Sequence, residues 1–275
     1  MEEFTVLMSL YSKDNAENFL RAVESNFEQT VQPKELVLVI DGPIDEKLEN
    51  AIFKLYHKYE NKIQIVRLKE NKGLGNALRT GLQYVHTNLV ARADSDDISD
   101  SNRFERQLIE FENTQDLLIV GGLIKEFIGN VDNIVAIRKL PNSDAQIRKF
   151  SKYRSPFNHP TVMFKKAAVE QAGNYQDFYS FEDYHLWIRM LLLTGKVKNI
   201  DDAVVFMRTE TGMYNRRGGV KYAIRNWKLR RYCWQLGVLS FSQMLMIDII
   251  VFGFAIIPTF LRAYLYKVFL RKGKK

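Results

Sequence analysis

The first hundred residues alternate between two patterns, and that alternation limits the chain to a small set of folds. FTVLMSLY, ELVLVID, IQIVRL and NLVARAD are short apolar runs rich in β-branched residues. Between them, helical spacing runs over 16–27, 46–59 and 74–85. This order predicts a parallel sheet with helices on its faces, since parallel neighbours need a long crossover between them. At 275 residues the chain holds one large α/β domain, or one domain with an appendage.

Ligands of such sheets bind outside the carboxyl ends of the strands. Here those ends are where polar residues collect, at Ser9–Tyr11, Asp41–Gly42, Asn71–Gly73 and Asp94–Asp97. Four strand ends sharing an edge make a site, and Ser9, Tyr11, Asp41, Gly73 and Asp94 are expected to line it. Asp41, ending VLVID, can accept hydrogen bonds from a nucleoside, or simply make an Asx-turn before the next helix. Gly73, in NKGLGNALRTG, allows close backbone approach to a ligand or starts a helix. That stretch matches neither a P-loop nor a full G-x-G-x-x-G, because Leu78 takes the last glycine position.

The fourth strand runs into RADSDDISD, which places Asp94, Asp96, Asp97 and Asp100 within seven residues. Like charges this close repel unless a cation sits among them. Asp94 and Asp96, two residues apart where the strand ends, can aim at one hard divalent cation, Mn²⁺ or Mg²⁺. The plainer alternative is a solvated loop in which Asp100 or Ser101 caps the helix over 102–113.

Farther on, LLIVGGLIKEFI and NIVAIRKL predict a hairpin turning at GNVDN, NHPTVMF a strand, and KKAAVEQAG a helix ending at Gly173. A further helix is expected over 182–194, closed by Gly195. At its start, in FEDYHLW, Glu182 and Asp183 favour the helix dipole. Among aromatic neighbours they also suit a general base facing a sugar-like acceptor, with Trp187 against that acceptor. His159 is a core residue, a substrate contact or a metal ligand; His185 is structural or faces solvent.

The formal charge of +8 is uneven. Residues 216–275 hold thirteen Lys/Arg and one acid, Asp248, leaving 27 Lys/Arg and 31 Asp/Glu in residues 1–215. We therefore expect two parts, a domain over 1–215 and a basic, apolar tail over 216–275. The tail joins a basic, aromatic helix (VKYAIRNWKLRRYCWQ) to MLMIDIIVFGFAIIPTFL, an apolar stretch interrupted by Asp248 and Pro258. Lying in a membrane interface against anionic headgroups suits it best; a spanning helix over 238–262 and a soluble helical subdomain or dimer contact are the alternatives. The apolar partner stretch argues for lipid over nucleic acid. One cysteine, Cys233, excludes an internal disulfide and suits a reducing compartment. There is no C-x-x-C for zinc or iron–sulfur, no G-x-S-x-G, and no signal peptide is expected in MEEFTVLMSLY.

Taken in order, Asp41, NKGLGNAL, ARADSDDIS with Arg103 and Gln107, NHPTVMF, GNY and FEDYHLW resemble the inverting family 2 glycosyltransferases. The resemblance implies the GT-A fold: a Rossmann-like mixed α/β sheet flanked by helices, with a C-terminal helical membrane-associating extension. It spans about residues 4–210. MYNRRGGVKY and LRAYLYKVFLR are similar to the bacterial subgroup that builds O-antigen, capsule and exopolysaccharide. The resemblance assigns Asp41 to the nucleoside, Asp94 and Asp96 to the diphosphate and its metal, and Asp183, with Glu182 beside it, to the base. Ile40 departs from the pattern, standing where many members carry a first Asp. The Q-x-x-R-W motif of processive synthases is absent, and Arg216–Gly219 stands in its region. The implied activity is transfer of one sugar, rather than polymerisation, from a UDP-linked donor to a polyprenyl-diphosphate saccharide at the cytoplasmic membrane face. A sugar-nucleotide nucleotidyltransferase and an inactive scaffold subunit are the alternatives.

Overall fold

The computed structural model describes residues 1–209 and 219–256, without the side chains of 254–256. Most of MYNRRGGVKY, Pro258 and all of LRAYLYKVFLR lie outside the described residues. The chain divides into two compact units, Met1–Arg208 and Thr209–Lys275.

The first unit opens with the expected alternation. Strands β1 (Phe4–Leu10), β2 (Glu35–Ile40), β3 (Ile63–Arg67) and β4 (Leu89–Ala93) are joined through helices α1 (Ala16–Phe27), α2 (Glu46–Lys58) and α3 (Leu74–Gly81). The helix starts are chemically marked: Asn15 Oδ1 accepts the Glu17 and Asn18 amides, and Asp45 Oδ1 accepts that of Leu48. Beyond them come β5 (Ile98–Ser99), α4 (Arg103–Asn113), β6 (Leu117–Phe127), β7 (Ile134–Arg138), α5 (Asp144–Phe150), β8 (Met163–Lys165), α6 (Lys166–Gln171), α7 (Glu182–Met190) and β9 (Lys196–Arg208).

All nine strands form one sheet in the order β3-β2-β1-β4-β8-β6-β9-β5, with β7 on β6. The first four pair in parallel, whereas β8 runs antiparallel to both β4 and β6, so the sheet is mixed. Alternate residues of the parallel strands feed separate cores. Val6, Met8, Leu36 and Leu38 pack with Phe19, Phe104 and Leu108 on one face. Leu7, Val37 and Val39 pack with Leu78, Leu186 and Trp187 on the other. Each such large apolar side chain contributes about 1.5–3 kcal/mol by leaving water. With both faces covered, the polar chemistry is left to the sheet's ends.

Three local expectations are corrected. NHPTVMF is not one strand: Pro160, without an N–H, lies in a 3₁₀ turn (His159–Thr161), and only Met163–Lys165 pairs. The cap of α4 is Asn102, and Asp100 instead accepts the Arg103 amide through its backbone carbonyl. Helix α7 ends at Met190, four residues short of Thr194.

The loops after β2 and β3 touch closely. Gly42 has φ +88°, and a Cβ there would stand 2.6 Å from the Asn71 nitrogen. Gly42→Ala is therefore expected to destabilise the protein by about 1–3 kcal/mol. Urea unfolding checks this, and an unchanged midpoint would contradict it.

Candidate active site

The carboxyl ends of β1, β2 and β4 and the loop after β3 are tied together by side chains. The Asp41 carboxylate accepts the amides of Lys72 and Gly73 at 2.7 and 2.9 Å, and Asn71 Nδ2 donates to its carbonyl. Asp41 thus orders the loop that leads into α3, and each of its oxygens keeps a second lone pair. Gly73, at φ +83°, has nothing within 4 Å of where a Cβ would lie, so its backbone faces open space. Ser9 is half-buried and Tyr11 exposed at the end of β1. Next to them is a residue that sequence reasoning missed: Asp14 Oδ2 accepts the Tyr11 amide at 3.0 Å and the Ser95 hydroxyl at 2.9 Å. It clamps the β1 loop to the acidic loop. Its only sequence signal is an Asp four residues past the end of β1.

In the acidic loop, Asp94, Asp96 and Asp97 bring carboxylate oxygens within 4.8 Å of one another. The crowding shows in their protonation. Burial first, then the charges of Asp94 and Asp14, pushes Asp96 up to about 6. Asp97 is pushed well above the usual carboxylate range, again by burial and then by Asp94 and Asp96. Its Oδ1 accepts the Arg208 amide at 2.9 Å, while its buried Oδ2 has no hydrogen-bond partner. Three converging carboxylates, two of them raised by burial and then by their neighbours' charge and one with a buried unpaired oxygen, fit a hard divalent cation.

Two buried guanidiniums underlie this loop. Arg92 pairs with Asp94. Arg103 donates to the Arg92 carbonyl at 2.7 Å, to Ser99 Oγ at 3.0 Å and to Gln107 Oε1 at 3.2 Å. Gln107 in turn donates to the carbonyls of Val120 and Thr161. Arg103 and Gln107 therefore brace the loop from inside the fold.

The second carboxylate group sits in the first turn of α7. Burial, then the charge of Asp183, pushes Glu182 up to about 7, so near neutrality it readily holds a proton. A Cβ on Gly75 would lie 3.1 Å from Glu182 Cβ, so this glycine lets the start of α3 pack on the start of α7. The two carboxylate groups meet electrostatically at Tyr175. Burial raises its phenol far above normal, and Asp183, Glu182 and Asp94 all push the same way. The Tyr175 hydroxyl hydrogen-bonds His159 Nε2 at 3.0 Å. Burial and the nearby Arg92 hold His159 neutral.

Trp187 is corrected: at 0% exposure it packs in the core against Phe157, His159 and Phe164 and offers no surface to an acceptor. His185 is buried and stacks on Phe178 at 4.7 Å. A separate cavity of about 300 Å³, lined by Asn142, Asp144, Lys196 and Lys198, adjoins the starts of β6 and β9, away from the carboxylates.

A family model described as glycosyl transferase family 2 matches residues 5–172. A Haemophilus influenzae protein known as an uncharacterized glycosyltransferase is 40% identical over 272 residues, covering 98% of this chain and all of its own length. The Escherichia coli UDP-Gal:alpha-D-GlcNAc-diphosphoundecaprenol beta-1,3-galactosyltransferase is 36% identical over 270 residues, covering 98% of this chain and 97% of its own. Among solved structures, S. aureus TarS 1-349 in complex with UDP-GlcNAc aligns with a TM-score of 0.64 at 17% identity, over 98% of this chain and 76% of that one. The mixed α/β sheet is thus of the GT-A type, and with two full-length relatives above 30% identity the chain belongs to glycosyl transferase family 2, as a glycosyltransferase.

Proposed function

We propose that this glycosyltransferase moves one sugar from a UDP-linked donor to a polyprenyl-diphosphate-linked saccharide, with inversion, during assembly of a bacterial surface polysaccharide. The observation that carries the reading is the convergence on one site of an acidic cluster at a strand end and a second carboxylate pair at the start of α7, both felt by Tyr175. The E. coli relative, which is similar along nearly the whole chain, supports the donor and acceptor classes by its name.

In this reading residues 1–215 are catalytic. Ser9, Tyr11 and the Asp41-ordered loop with Gly73 hold the nucleotide, and Asp94 and Asp96 would hold Mn²⁺ or Mg²⁺. The bound cation would offset negative charge developing on the departing diphosphate. Asp183 takes the proton of the acceptor hydroxyl as the new bond forms on the opposite face of the anomeric carbon. Glu182, pushed up to about 7 by burial and then by Asp183, is partly protonated near neutrality, which limits repulsion within the pair.

Residues 216–275 form the membrane-associating part, holding the enzyme at the cytoplasmic membrane face as a peripheral or monotopic protein. Two described helices support this: α8 (Val220–Gln235), which is basic, and α9 (Phe241–Ile256), with Leu245, Ile249 and Phe252 exposed. The lone acid, Asp248, is buried. Among the described residues no helix is long and apolar enough to cross a membrane.

Given a UDP-sugar and a lipid-linked saccharide, the purified protein should release UDP and lengthen the acceptor by one sugar. Pyrophosphate release would mean nucleotidyl transfer, no turnover a scaffold, and repeated addition a processive enzyme. Asp183→Asn should lower transfer by about 10²–10⁴-fold while leaving UDP affinity intact; lost UDP affinity would give Asp183 another role. Replacing Leu245 and Ile249 together by Gln should weaken co-flotation with phosphatidylglycerol vesicles, and unaltered flotation would count against α9 as the lipid-facing helix.

A further inference from the structure

The strongest unassigned feature is the Arg92 side chain. It is 2% exposed, and its Nη2 bonds Asp94 Oδ1, yet its Nε and Nη1 are buried without hydrogen-bond partners. A buried guanidinium with two unmet donors costs stability unless its charge is needed where it stands. Its neighbourhood identifies that need. Asp94 lies two residues along the chain, its oxygens crowd those of Asp96 and Asp97, and Arg92 forms an ion pair with it. Arg92 is itself fixed, because its carbonyl accepts from the equally buried Arg103.

We infer that Arg92 is a positioning residue for the donor seat: it holds Oδ1 of Asp94 and thereby presents Oδ2 to the cation that arrives with the diphosphate. This rests on the metal reading above. A carboxylate flanked by two like charges would otherwise turn toward solvent, and a ligand that must first be reoriented binds its cation more weakly. One held oxygen also limits Asp94 to a single coordinating atom, which suits a site shared with substrate phosphates. The charge of the same guanidinium is also felt at the buried His159 and Tyr175, which hydrogen-bond each other.

The test is calorimetric titration of the full-length protein with UDP, with and without Mn²⁺, while circular dichroism follows the fold. Arg92→Met should weaken Mn²⁺-dependent UDP binding by about 10–100-fold, and Arg92→Lys should recover part of it. In an Asp94→Asn background, Arg92→Met should cost nothing further, since it acts through that carboxylate. Unchanged affinity in Arg92→Met, or the same loss in both backgrounds, would overturn the inference. If Arg92→Met does not fold, Arg92→Lys in the two backgrounds decides the same question, with a smaller loss confined to the Asp94 background. A wild-type protein whose UDP binding ignores Mn²⁺ would overturn the metal reading and this inference together. Intact wild-type binding with additive losses would overturn the role of Arg92 alone.

Discussion

Repulsion among carboxylates gathered at one edge of the sheet is the constraint around which the catalytic unit is arranged. Asp94, Asp96 and Asp97 converge within 4.8 Å, and Asp14 joins them through Ser95. Left alone, these charges would drive the loop apart. The fold offsets them with cations and donors from beneath: Arg92 on Asp94, Arg103 bracing Arg92, and the Arg208 amide on Asp97. The offset is partial: burial first, and then the neighbouring aspartates, still hold Asp96 and Asp97 above the usual carboxylate range. A site left short of positive charge is one that favours a cation.

The sheet explains why the two halves of the site can come from distant segments. Parallel strands β1, β2 and β4 end at one edge and supply Asp41 and the acidic loop. Antiparallel β8 then pairs with β4 and leads into α6 and α7, whose first turn brings Glu182 against Gly75 at the start of α3. His159 and Tyr175 stand between, both in the electrostatic reach of Arg92. The route from residue 94 to residue 183 is long in sequence and short in space.

How much of this was legible from the sequence depended on how local its cause was. The alternation of β1 to β4 with α1 to α3 follows from apolar periodicity and needs no distant partner, so those elements lie within a few residues of where the pattern puts them. The acidic cluster stood out because four aspartates in seven residues are hard to explain otherwise. Strand β9 was hidden: Asp201 and Asp202 interrupt its apolar pattern, and its register on β6 shifts nearby. Trp187 misled because an aromatic beside two carboxylates looks like a sugar platform, whereas its position on α7 turns it into the core. Asp14 and Arg92 work through bonds to residues in other loops or beneath them, and spacing alone carries no trace of a hydrogen bond from residue 14 to residue 95.

The central claim is that the strand-end carboxylates seat a divalent cation. The most direct measurement is anomalous diffraction from crystals grown with Mn²⁺ and UDP. One strong peak is expected, with oxygens of Asp94 and Asp96 within about 2.0–2.6 Å of it. A peak elsewhere, or ordered UDP in this site with no Mn²⁺ beside those aspartates, would contradict it.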